Sequence, residues 1–180
     1  MARTGTRRAG RKSVALTVLM LGTAVAALDQ ISKAWALATL VPYQPVEFWP
    51  PLVNFVLVFN KSAAFSIGAD QTWIFTIVSS LAAIALLATI RKIESLSWAS
   101  LSGLLLGGVV GNLVDRLTRE PALGFGQVVD FIQIPLNFPI FNVADIAISA
   151  VAVVTIIRLF RGDRIGKARG AARSGRGGKR

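Results

Sequence analysis

The sequence predicts an all-α integral membrane protein with four transmembrane helices and a small extracytoplasmic β-rich loop between helices 1 and 2. Three observations carry that expectation. Hydrophobic residues make up 53% of the 180-residue chain and charged residues only 16%, with a mean hydropathy of +0.60, more apolar than a soluble domain of this length requires. Four apolar runs approach the roughly 20 residues that a helix needs to cross the hydrocarbon core. Sixteen of the twenty Lys and Arg residues fall at the ends of those runs that would share one side of a membrane.

The first span is expected from Val14 to Leu37. Its basic start and the small residues Ala24, Val25 and Ala26 also fit a cleavable secretory signal. The apolar character resumes after Asp29 with Ala34, Trp35, Ala36 and Leu37, however, and the uncleaved, tilted helix fits better. The second span runs from Trp73 to Ile90, the third from Leu96 to Leu117 and the fourth from Val143 to Phe160. Between spans one and two, Val46–Trp49 and Val53–Phe59 are rich in aromatic and β-branched residues and are separated by Pro50-Pro51, which predicts a strand pair at the membrane interface.

Orientation follows from the cations. Arg3, Arg7, Arg8, Arg11 and Lys12 precede span one, Arg91 and Lys92 join spans two and three, and nine more lie from Arg158 onward. Both termini are therefore expected in the cytoplasm, with the two polar loops outside. The net charge of +11 gathers at these span ends, which argues for membrane flanks and against nucleic acid as partner. The chain divides into a basic N-terminus (1–12), a membrane domain (13–160) and a basic tail (161–180) too poor in apolar residues to fold, suited to attraction by anionic headgroups.

Cysteine and histidine are both absent, so thiol chemistry, imidazole bases and the usual zinc ligands are excluded and any reaction must run on carboxylates, amines or hydroxyls. Acids near membrane depth are costly and tend to face a polar cavity or mark a site. Asp29, Asp115, Asp130 and Asp145 are such acids, all toward the outer ends of spans or in outer loops. Each also has a structural reading as a helix-end anchor, and Asp145 sits where a helix N-terminal dipole favours negative charge. Two of them close together would share a proton, as in an aspartic protease. In span three, Gly103, Gly107 and Gly111, with Gly108 beside them, leave one face without side chains for close helix approach. Asn112 and Asp115, three residues apart, share a face, and Arg116 is placed to pair with a carboxylate.

Five blocks now stand in order: Leu-Asp-Gln-Ile-Ser-Lys (28–33), Asn-Lys-Ser-Ala-Ala-Phe-Ser (60–66), Gly-Gly-Val-Val-Gly-Asn-Leu-Val-Asp-Arg (107–116), Val-Val-Asp-Phe (128–131) and Phe-Asn-Val-Ala-Asp (141–145). With their spacing through a four-span chain they resemble the lipoprotein signal peptidases, or signal peptidase II, over residues 14–160. The resemblance implies a membrane aspartic endopeptidase of the bacterial inner membrane, working as a monomer among membrane lipids. It would remove signal peptides from prolipoproteins just before a cysteine bearing a diacylglyceryl group. It makes Asp130 and Asp145 the catalytic pair, with Asp29, Lys33, Asn60, Gly108, Asn112, Asp115, Arg116, Asn142 and Ala144 as substrate-binding or supporting residues. Neither metal nor cofactor is implied.

Ser62 departs from the family pattern, which usually has glycine there, so this loop's backbone is expected to differ. Phe55, Phe59 and Phe65 are candidate contacts for the substrate's lipid. A small transporter would instead place acids near span centres and repeat its halves; here the acids lie toward one face, and no repeat is visible. A purely structural four-helix adaptor would leave both aspartates dispensable.

Overall fold

The computed structural model describes residues 9–61 and 72–167. Ser62 and Phe65 fall between these segments and lie outside the described residues. Among the described residues four helices are long and apolar enough to cross a membrane: α1 (Arg11–Thr39), α2 (Thr72–Thr89), α3 (Leu96–Thr118) and α4 (Val143–Phe160). They match the apolar runs to within a few residues, because with no water in the bilayer core every backbone polar group has to be satisfied inside the helix. Leu16, Met20, Leu81, Ile84, Val153 and Ile156 remain exposed, as lipid-facing side chains should be.

The central helix is α3, which packs against α1, α2 and α4. A methyl group added at Gly103 would lie 2.9 Å from Val18 O, and one at Gly107 would lie 2.6 Å from Gly22 O, so α1 and α3 touch backbone to backbone along the expected glycine face. At the end where α1 begins and α4 finishes, Val14, Val18, Ala83, Ile93, Trp98, Ala99 and Leu106 form one core. A short 3-10 turn (Ile90–Lys92) links α2 to α3 there.

At the opposite end sits a three-stranded antiparallel sheet, β1 (Val46–Trp49), β2 (Val53–Asn60) and β3 (Val128–Gln133), in the order β1-β2-β3. The first two strands match the expected pair. The third does not: Asp130 stands on a strand rather than in a loop, facing Val58 across the ladder. Ala36, Leu40, Leu57, Val129 and Phe131 form a second core that seats the sheet on the end of α1. Phe55 belongs to an aromatic group with Trp35, Phe48 and Phe131.

The start of the tail makes more bonds than its composition suggests. Residues 161–167 turn back over the α2–α3 connection, where Glu94 N donates to Gly166 O at 2.6 Å. Arg158 stacks on Trp98 at 4.1 Å and pairs with Asp163 at 2.9 Å, bonds that a purely compositional reading of the tail cannot anticipate.

Candidate active site

Asp145 occupies the first turn of α4 because Asn142 caps that helix. Asp145 N donates to Asn142 Oδ1 at 3.0 Å while Asn142 N donates to Asp145 Oδ2 at 3.2 Å, a reciprocal capping box that fixes the carboxylate's direction. Its other oxygen, Oδ1, accepts from Asn112 Nδ2 of α3 at 2.9 Å.

Asp130 comes from β3. Its Oδ1 accepts from Asn142 Nδ2 at 2.6 Å and its Oδ2 from Asn60 Nδ2, at the end of β2, at 2.8 Å. One residue, Asn142, thus holds both aspartates. Burial pushes the Asp130 carboxyl up to about 7 and the nearby charge of Asp145 adds to this, against the opposing hydrogen bonds from Asn60 and Asn142 and the charge of Lys33. At neutral pH, then, Asp130 shares its proton with solvent, while the ordinary carboxylate would have lost it.

Behind the pair lies a buried ionic knot. Lys33 Nζ lies 2.7 Å from Asp29 Oδ2 and 2.7 Å from Asp115 Oδ2, all three side chains being fully buried. The third Lys33 donor goes to Asn112 Oδ1 at 2.8 Å. That oxygen also accepts from Asn142 Nδ2 at 3.1 Å, so the Asn112 amide can only turn its nitrogen toward Asp145. The knot also ties the surrounding backbone: Asp29 Oδ1 accepts from Ala144 N at 2.9 Å, and Asp115 Oδ2 from Val129 N at 3.2 Å. In this way α1 and α3 set the position of the residues next to both aspartates. A side chain at Gly108 would lie 2.7 Å from Ala144 O, so this glycine lets the start of α4 approach α3.

All the supporting residues expected from the sequence therefore converge on one region, with two refinements. Among the described residues Asp115 pairs with Arg119, at 2.6 Å and four residues on along the helix, as well as with Lys33; Arg116 also lies over the Phe75 ring at 5.3 Å and lines the cavity. Gln30, not singled out from the sequence, bridges Gly111 O at 3.0 Å and Asp115 Oδ1 at 3.1 Å. The i, i+4 spacing of Asp115 and Arg119 was a usable signal for the first; only the packing of α1 on α3 reveals the second.

The aspartates open into a cavity of about 1270 Å³. Its polar wall is Asn60, Lys61, Asn112, Arg116, Asp130 and Asp145, and from there it continues along Ile146, Ser149, Ala150, Val153 and Val154 of α4. Phe59 lines it; Phe55 does not. Two carboxyls held by one asparagine beside an apolar groove are an arrangement that can activate water against a bond carried by an apolar chain.

The profile of the family described as signal peptidase (SPase) II matches residues 21–161. A lipoprotein signal peptidase of Leifsonia xyli subsp. xyli is 46% identical over 135 residues, covering 74% of this chain and 62% of that protein. One of Streptomyces coelicolor is 41% identical over 135 residues, covering 75% and 66%. The chain thus spans a little under two thirds of the length of these two relatives. A solved bacterial membrane enzyme superposes with a TM-score of 0.72 at 29% identity, over 81% of this chain and 88% of that one.

Proposed function

The chain belongs to the signal peptidase II family, and from that premise we propose that it is a membrane aspartic endopeptidase removing signal peptides from diacylglyceryl-modified prolipoproteins, with Asp130 and Asp145 as its catalytic pair. The observation that carries the assignment is the sharing of Asn142 by two carboxyls, one from β3 and one from α4, at the polar end of an apolar cavity.

In the reactive form Asp130 holds the proton, a form that its raised value of about 7 keeps populated at neutral pH. Asp145, oriented by Asn112 and Asn142, accepts a proton from a water molecule lying between the two groups, and the water oxygen attacks the scissile carbonyl carbon. Asp130 gives its proton to the carbonyl oxygen. The tetrahedral intermediate then collapses as that oxygen returns its proton to Asp130, Asp145 delivers its own to the leaving nitrogen and the C–N bond breaks. Both carboxyls end as they began, and no covalent enzyme intermediate forms.

The groove along α4 is suited to the apolar signal segment, and the diacylglyceryl chains would remain among the membrane lipids. The Lys and Arg residues gather in the sequence before α1, between α2 and α3 and after α4, which supports cytoplasmic termini and an extracytoplasmic active site in the bacterial cell membrane. Asp130, Asp145 and the asparagines that hold them, Asn60, Asn112 and Asn142, all come from one copy, which supports action as a monomer. Incubation of the purified protein with a diacylglyceryl-modified prolipoprotein tests the assignment: it should yield a shortened product, and Asp130→Asn or Asp145→Asn should abolish it while the protein still inserts and folds. Turnover by either variant would refute the pair.

A further inference from the structure

The membrane face opposite the active site carries a feature that peptide cleavage does not use. There the chain after α4 is clasped onto the α2–α3 connection. Glu94 is its centre: its carbonyl accepts from Ala9 N at 3.0 Å, its amide donates to Gly166 O at 2.6 Å, and its carboxylate pairs with Lys167 at 2.9 Å. Arg158 completes the clasp through Trp98, Asp163 and a 3.1 Å bond to Ser97 Oγ. Gly166 takes φ +75, and a methyl group added to it would meet Lys92 O at 3.4 Å, so the returning segment lies directly on the Lys92–Ile93 backbone.

The clasp commits Arg158 and Lys167 to internal partners. Arg91 and Lys92 on one side and Arg161 and Arg164 on the other are exposed and form no ion pair among the described residues. The closure seats the segment that carries Arg161 and Arg164 on the backbone beside Arg91 and Lys92, at the same end of the helices. Beside them Phe160 is 89% and Ile165 68% exposed, apolar side chains at the same membrane boundary. Cations for a phosphate next to apolar surface for acyl chains match an anionic glycerophospholipid, and basic pockets between helix ends at such a face suit its headgroup.

We propose that the clasp formed by residues 158–167 on residues 91–98 is a binding site for an anionic phospholipid. It is distinct from a loose electrostatic attraction of the tail because the positions of its cations depend on the turn at Gly166. Its readout is lipid retention, independent of the peptidase reading.

The full chain, purified in mild detergent and delipidated, is titrated with phosphatidylglycerol or phosphatidylcholine, and retained lipid is counted by native mass spectrometry. Phosphatidylglycerol should be retained in preference, and inorganic phosphate should neither be held nor displace it. Arg161→Gln with Arg164→Gln should weaken retention about thirtyfold, roughly fivefold for each cation. The decisive variant is Gly166→Val, which leaves the net charge unchanged but disfavours the positive φ; it should lose at least about tenfold in affinity. Arg11→Gln with Lys12→Gln, outside the two basic pairs, should lose much less. Equal retention of the two lipids, equal losses from both double variants, or full retention by a folded Gly166→Val protein would each overturn the site.

Discussion

Replacing Asn60 by alanine should move the alkaline limb of the cleavage profile to higher pH, and the direction follows from the hydrogen bond it removes. Asn60 Nδ2 donates to Asp130 Oδ2 at 2.8 Å, an interaction that favours the ionised carboxylate. Asp130 is nevertheless pushed up to about 7, since burial and the charge of Asp145 outweigh it. If Asp130 must carry a proton to protonate the scissile carbonyl, wild-type activity should fall as pH rises through about 7. A hydrogen bond to a charged group contributes about 1.5–3 kcal/mol, and about 1.4 kcal/mol corresponds to one pH unit. Asn142 still holds the other oxygen, and water entering the vacated space recovers part of the loss. The expected displacement is therefore about one pH unit upward. The assay is kcat/KM against pH with one diacylglyceryl-modified prolipoprotein. A limb that stays in place or moves downward would refute the assignment of Asp130 as the proton-holding partner. The same group bears on stability. Below its ordinary 3.8 Asp130 is protonated folded or unfolded, and between there and about 7 the folded state alone retains the proton. Ionisation therefore costs the fold progressively more as pH rises through that window, and Asp130→Asn should flatten this decline in thermal melting.

Lys33→Met leaves Asp29 and Asp115 buried without their shared cation, and should destabilise the protein by about 3–5 kcal/mol, seen as a loss of folded yield in detergent. Gly108→Val forces the start of α4 away from α3 at Ala144 and should lower kcat by about a hundredfold while the four spans still insert; near-normal kcat would show that this contact does not position Asp145. A prolipoprotein lacking its diacylglyceryl group loses the anchoring of its cysteine at headgroup depth and should be cut at least about a hundredfold more slowly than the modified form in the same membranes. A reporter active only outside the cytoplasm, fused after Arg180, should stay silent, and a signal from it would reverse the proposed orientation.

The four spans were legible in the sequence because run length and hydropathy are local quantities, and the strands at Val46–Trp49 and Val53–Phe59 were legible because close aromatic and β-branched runs around a proline turn pair with each other. Asp130 and Asp145 stood out as acids among apolar residues, and their motifs marked them as a pair. The strand under Asp130 did not stand out: β3 is six residues long and its ladder partner, β2, lies far away in the chain, so its hydrogen bonds exist only once the helices have brought the two segments together. The same holds for Lys33, where sequence suggested a supporting cation but only the packing of α1 on α3 shows it neutralising two aspartates and turning Asn112 toward Asp145. Phe55 joins the ring cluster with Trp35, which its type alone did not reveal, and residues 161–167 are held by Glu94 and Arg158 despite a composition too polar to fold alone. What a residue is made of and how often its type recurs are set along the chain; which partner satisfies a buried charge or an open hydrogen bond is set by contacts between segments distant in sequence, and only the folded chain supplies those.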